Sequence, residues 1–184
     1  MSKSKDSAVK ISAPHFTKIN VYQLVVLAML VSIEIVLSRF LSFSVWNMKI
    51  GFAFIPIVAA AMLYGPLPAG LAAAAADLLG AVMFPIGAYF PGFTLTAFLT
   101  GLVWGMFLHR KQTLPAILAA VGVNQAVGTL FINTLWISIL YGTPYLPLFE
   151  TRLIQAAILF PIQTIVIYLL RIPLKRAFSV LRQQ

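Results

Sequence analysis

Leu71-Ala72-Ala73-Ala74-Ala75-Ala76-Asp77-Leu78-Leu79-Gly80 is apolar at every position but one, Asp77. The run is greasy enough to lie in a bilayer, where an ionisable side chain costs about 2.5–3.5 kcal/mol on insertion scales. Such a carboxylate faces protein, water or a ligand rather than lipid. The whole chain has only four acidic residues and two histidines. Those few groups carry most of whatever chemistry the protein performs.

The surroundings of that run share its character. Of 184 residues, 61% are hydrophobic and 9% charged, with mean hydropathy +0.97; a soluble domain carries about 25% charged residues. These values imply an all-α integral membrane protein of one domain, with room for roughly six spans of about 20 residues. The chain divides into a basic N-terminal segment (1–20), a six-helix membrane domain (21–176) and a basic tail (177–184). The apolar stretch from Val21 to Phe43 exceeds a signal-peptide core and is not followed by a clear cleavage site, so it reads as a retained first span. There is no cysteine, hence no disulfide and no thiolate chemistry. A net charge of +9 on such a chain reports orientation and contact with anionic lipid, not nucleic-acid binding.

Six apolar segments follow: Val21–Phe43, Gly51–Tyr64, Ala69–Phe84, Phe93–Leu108, Leu114–Leu140 and Phe149–Leu170, the last carrying Pro161 as a kink site. The second is short for a span. Charge placement decides the parity. Lys3, Lys5, Lys10 and Lys18 precede the first segment, and Arg171, Lys175, Arg176 and Arg182 follow the last. Both ends are then cytoplasmic, the number of spans is even, and the Arg110-Lys111 turn falls inside as well. The three outer loops, Ser44–Ile50, Pro85–Gly92 and Tyr141–Leu148, contain one cation, Lys49. The proline and glycine content of the second makes it stiff, so the first is the expected gate.

Polar groups from distant segments then share the outer half of the bundle: Arg39, Asn47 and Lys49 beside Trp46, Asp77, Thr94, Asn133 beside Trp136, and Arg152. A few placed polar groups among apolar and aromatic walls make a ligand pocket. Each has a plainer reading as well. Arg39 snorkels or pairs with Glu34 or Asp77, Glu150 and Arg152 form a surface pair, Asn133 joins helices, and the aromatics form an interfacial belt. Gly101-x-x-x-Gly105, Gly70-x-x-x-Ala74 and Gly122-x-x-x-Ala126 mark close helix contacts, and Ala28-x-x-x-Ser32 is a weaker instance.

Several chemistries are excluded. There is no Gly-x-x-x-x-Gly-Lys-Ser/Thr phosphate loop, so ATP is not used by that route. There is no His-Glu-x-x-His motif or carboxylate cluster, and His15 and His109 sit in cytoplasmic segments. No metal, cofactor or nucleophile–base pair is expected. No internal repeat of the kind that builds secondary carriers is evident.

The stretches Gly51-Phe52-Ala53-Phe54-Ile55-Pro56-Ile57, Tyr64-Gly65-Pro66, Ala76-Asp77-Leu78-Leu79-Gly80 and Gly87-Ala88-Tyr89-Phe90-Pro91-Gly92-Phe93-Thr94-Leu95-Thr96-Ala97-Phe98 add a further observation. With Asn133-Thr134-Leu135-Trp136, Leu140-Tyr141-Gly142-Thr143-Pro144 and Arg152-Leu153-Ile154-Gln155, the chain resembles the substrate-binding S components of energy-coupling factor (ECF) vitamin transporters. It is most similar to their folate-specific branch, the FolT type. The likeness covers about Val21 to Arg171. It implies a bacterial plasma-membrane protein of six helices that binds a vitamin near the outer surface and has no enzyme activity. It also implies three partners: a transmembrane coupling protein (the T component) and two ABC-type ATPases, with the bound S component toppling in the bilayer. The coupling protein would meet a small-residue face on the first helix, here Ala28 and Ser32. If the vitamin is folate, Trp46, Tyr89, Phe90, Trp136 and Tyr141 are candidates for the aromatic walls. Asp77 and Asn133 are candidates for the pterin edge, and Arg39, Lys49 and Arg152 for the glutamate carboxylates. The alternatives are an S component for riboflavin or pantothenate, thiamine being disfavoured by the cationic groups. A small membrane enzyme would turn over by itself. A stand-alone carrier would work in liposomes without ATPases.

Overall fold

A computed structural model describes residues 20–45 and 48–181. Its helices are α1 (Val21–Arg39), α2 (Phe54–Tyr64), α3 (Pro66–Met83), α4 (Pro91–Leu108), α5 (Leu114–Tyr141) and α6 (Tyr145–Leu181). Five are long and apolar enough to cross a membrane; α2, with 11 residues, is the shorter one. Between α1 and α2 lies an antiparallel hairpin of β1 (Phe43–Val45) and β2 (Met48–Ile50), in the register Phe43↔Ile50, Ser44↔Lys49, Val45↔Met48.

Local sequence explains the ends of these elements. The Asn20 amide donates to Gln23 Oε1 (3.2 Å), closing the start of α1. Proline stands in the first turn of α3, α4 and α5, where its missing N–H costs nothing. Gly65 has φ +89° and turns the chain from α2 directly into α3. A Cβ there would meet only the His109 ring at 3.5 Å, so the backbone conformation, not space, calls for glycine.

The Gly101-x-x-x-Gly105 pair is spent inside the subunit. A Cβ at Gly101 would lie 2.6 Å from the Ala69 carbonyl oxygen, and one at Gly105 would overlap the Pro66 backbone. Glycine at both sites lets α3 and α4 touch backbone to backbone. The core sits at the end of the bundle near the α4–α5 turn. It joins Val58, Ala61 and Met62 of α2 to Trp104 and Leu108 of α4, Ile117 and Val121 of α5, and Ile167 of α6. Most of α2 is buried, from Pro56 to Met62, which accounts for a helix that is apolar yet short. On α1, by contrast, Val21, Leu24, Val25, Met29, Ile33 and Val36 are exposed, the pattern of a lipid-facing helix.

Three local expectations change. The first helix ends at Arg39, not Phe43, and the following loop is in part a hairpin; the alternation of Phe43, Ser44 and Val45 suits a strand. The last helix is one continuous element through Pro161 and Pro173 to Leu181, so the boundary placed at 176/177 falls inside it. At 1.5 Å per residue it is about 55 Å long, well beyond a hydrocarbon core of about 30 Å.

Candidate functional site

The helices enclose a cavity of about 600 Å³, within the range of about 300–1,000 Å³ of small-molecule sites. Ser42, Gly51, the Pro85–Phe90 loop and Tyr141 line it, which places its mouth at the end of the bundle carrying the hairpin and that loop. Arg39, Asp77, Asn133 and Arg152, from four different helices, all line it.

Asp77 is held from α4. Thr94 Oγ1 donates to Asp77 Oδ2 at 2.7 Å, and Tyr89 OH lies 3.1 Å from the same Thr94 oxygen. A threonine has one hydroxyl proton, so with that proton on Asp77 the Tyr89 phenol is the donor to Thr94. The chain Tyr89→Thr94→Asp77 fixes one carboxylate oxygen and leaves Oδ1 outside this chain of bonds. Thr94 is not itself in the cavity wall.

Arg39 is seated by a gap. A Cβ built on Gly80 would lie 2.9 Å from Arg39 Nε and 3.2 Å from Nη2. The guanidinium therefore lies flat against α3 one turn from Asp77. Among the described residues no ion pair joins Arg39 to Asp77, and Arg39 Nε is buried without a hydrogen-bond partner. Arg152 is 8% exposed and its Nε is likewise unpartnered, as is Asn133 Oδ1. A buried guanidinium with unmatched donors is costly. Both arginines line the cavity, and cations of this kind suit an anionic oxygen partner.

The aromatic side is built around α5 and the start of α4. Trp136 Nε1 donates to Thr96 Oγ1 (3.0 Å), which in turn donates to the Gly92 carbonyl (2.9 Å). The Phe90 and Trp136 rings pack at 5.3 Å. A Cβ at Gly92 would come within 2.5 Å of Phe90 and 2.7 Å of Trp136, so glycine there allows this tilted ring contact. Trp136 stands behind the wall, whereas Phe90 and the half-exposed Tyr89 and Tyr141 line it. Trp46 and Asn47 lie outside the described residues, and of Lys49 only the strand backbone is described. Ala28 and Ser32 are exposed on α1, away from the cavity, and Ser32 Oγ bonds the Ala28 carbonyl at 3.0 Å.

Thr96, near the start of α4, and Glu34 also line the wall, and four further wall residues were not singled out from the sequence: Trp104, Gln125, Gln155 and Gln163. The signal for the amides was present, since Gln125, Gln155 and Gln163 interrupt apolar spans as Asp77 does, but without a charge to draw attention. Their convergence depends on a stretch that the sequence does not announce. Residues Asn124–Asn133 of α5 form a π-helix, whose i→i+5 bonds widen the turn. The wider turn brings Gln125, Thr129 and Asn133 onto one face of the cavity.

An apolar helical bundle and a cavity with Arg39, Asp77, Asn133 and Arg152 in its wall are the features of a membrane-embedded binding protein. The comparisons make this specific. The family model "ECF transporter, substrate-specific component" matches residues 22–175, and the chain belongs to that family, which is one of transport components and not of enzymes. It is 45% identical over 152 residues to "Folate transporter FolT" of Clostridium novyi (strain NT), covering 82% of this chain and 87% of that one. It is 35% identical over 162 residues to the protein of the same name from Leuconostoc mesenteroides, covering 84% and 87%. Its fold is similar to the crystal structure of FolT bound with folic acid, with a TM-score of 0.76, 36% identity, and coverage of 80% of this chain and 92% of that chain.

Proposed function

We propose that this chain is the folate-binding subunit of an ATP-driven ECF importer in the bacterial plasma membrane. The observation that carries the reading is the cavity with Arg39 and Arg152 in its wall and no hydrogen-bond partner on either guanidinium Nε. Folate ends in a dianionic glutamate, which matches those cations in charge and in the fork geometry of its oxygens. Asp77, held by Thr94, and Asn133 offer acceptors to N–H groups of the ligand, and Phe90, Tyr89 and Tyr141 offer apolar faces to its planar parts. The relatives named folate transporters, at 45% and 35% identity, support the same ligand.

Six crossings with both termini in the cytoplasm, α2 included, follow from the charge distribution. ATP hydrolysis then belongs to two ABC-type ATPases, joined through a transmembrane coupling protein that meets the face of Ala28 and Ser32. Because Ser32 Oγ is already bonded to the Ala28 carbonyl, that face presents no unsatisfied hydroxyl to a neighbouring helix. Mass spectrometry of small molecules retained through gentle purification tests the reading. A folate is expected; a flavin or pantothenate in its place would overturn the ligand assignment.

A further inference from the structure

The end of the bundle opposite the cavity mouth carries a second cluster of charge. There the α4–α5 turn holds Arg110 and Lys111, both exposed, and α6 brings up the half-buried Arg171. Arg171 is held in two ways. Its Cζ lies 3.7 Å from the centroid of the Tyr168 ring, one turn back on α6. Its Nη1 donates to the Gln112 backbone carbonyl at 3.2 Å, which docks α6 on the turn. Gln112 is the neighbour of Lys111 and two residues from Arg110, and consecutive Cα atoms are only about 3.8 Å apart. The three cations therefore share one small patch. A guanidinium has five N–H donors and Gln112 takes one, so donors remain for an oxygen ligand.

The chain does not neutralise this patch from close by. Among the described residues the carboxylates are those of Glu34, Asp77 and Glu150. Counting 1.5 Å per helical residue, each stands about 15 Å or more from this end of the bundle. That exceeds the screening length of about 10 Å for exposed charges at 0.1 M salt. Toward the middle of the bundle the exposed side chains turn apolar: Leu114 and Leu118 on α5, and Ile165 and Leu169 on α6. Each pair is spaced i, i+4 and so lies on one face of its helix. An acidic protein surface would match the cations alone. An anionic phospholipid matches both features, its phosphate on the cations and its acyl chains along the apolar faces.

We propose that Arg110, Lys111 and Arg171 form a headgroup site for an anionic phospholipid where the α4–α5 turn meets α6. The site goes beyond the folate reading and does not depend on it. With both termini in the cytoplasm, it faces the inner leaflet.

Native mass spectrometry of the full chain, released from micelles with equal amounts of dioleoylphosphatidylglycerol and dioleoylphosphatidylcholine, shows which lipid stays bound. A cation beside an anionic lipid surface is worth roughly fivefold in association, so phosphatidylglycerol should be retained at least fivefold over phosphatidylcholine. The variant combining Arg110→Gln, Lys111→Gln and Arg171→Gln should prefer it less than twofold. The pair Arg110→Gln and Lys111→Gln alters exposed side chains only, leaves the Arg171 bond in place, and should at least halve the preference; a cooperative melt shows that each variant is folded. Arg182→Gln, which removes a cation from elsewhere in the sequence, should keep the wild-type preference. Excess glycerol 3-phosphate should leave the lipid bound. Equal retention of the two lipids by the wild type overturns the proposal and leaves the patch to an acidic protein surface. A preference that survives the triple variant, or falls as far in Arg182→Gln, overturns it in favour of net charge alone. Displacement of the lipid by glycerol 3-phosphate overturns it in favour of a free-phosphate site.

Discussion

Replacing Gly80 by alanine separates stability from binding. In an exposed helix interior the change favours the helix by about 0.5–1 kcal/mol. Here the new methyl would sit 2.9 Å from Arg39 Nε, 3.2 Å from Nη2 and 3.4 Å from Cζ. Carbon–nitrogen contacts of that length are repulsive, so the guanidinium must lift off α3 by several tenths of an ångström. Arg39 Nε has no partner holding it back, so the shift displaces the cation rather than the helix. A hydrogen bond to a charged group is worth about 1.5–3 kcal/mol and weakens steeply with distance and angle. Losing one such bond to a ligand carboxylate lowers affinity about tenfold or more. Calorimetry with folic acid on Gly80→Ala should show that loss, while the melting temperature stays at or above the wild-type value. Affinity within twofold of wild type would refute the seating of Arg39 by Gly80.

Four further outcomes follow from the same geometry. Arg39→Ala and Asp77→Asn should each weaken folic acid binding tenfold or more, about 1.4 kcal/mol; unchanged affinity in calorimetry removes the residue from the site. Tyr89→Phe deletes the donor to Thr94 and should cost about 1 kcal/mol, roughly fivefold in affinity, with no loss if the phenol serves only the surface. Gly101→Ala pushes a methyl toward the Ala69 carbonyl and should lower thermal stability by about 1–3 kcal/mol; a wild-type melting curve would contradict the close α3–α4 contact. Without ligand, hydrogen exchange should be faster in the Phe43–Ile50 hairpin, since two-stranded sheets are marginal, than in the Pro85–Phe90 loop; equally slow exchange in both would remove the hairpin as the gate.

Much of the architecture was legible because a bilayer imposes length and polarity on each helix. Asp77 in an alanine-rich run pointed both to a membrane segment and to a site, since the carboxylate has no solvent to face there. The glycines of α4 were readable for a similar reason, as each has one close contact to serve. The hairpin was not legible, because three-residue strands give too few alternations to separate from a loop. The helix was expected to pass Pro161, but its continuation through Pro173 to Leu181 was hidden; a proline removes one helical hydrogen bond, and the helix carries on past it here. The glutamines of the cavity wall were missed for a different reason. They are uncharged, and Gln125 reaches the wall from the π-helical Asn124–Asn133 stretch, which the sequence does not announce.

A receptor of this kind binds its ligand without a motor of its own. Titration of folic acid into the purified chain, with no ATPase and no nucleotide, tests this most directly. One saturable site per chain, weakened at least tenfold when Arg39 is replaced by alanine, is the predicted result. No binding, or binding equally strong without the Arg39 guanidinium, would contradict it.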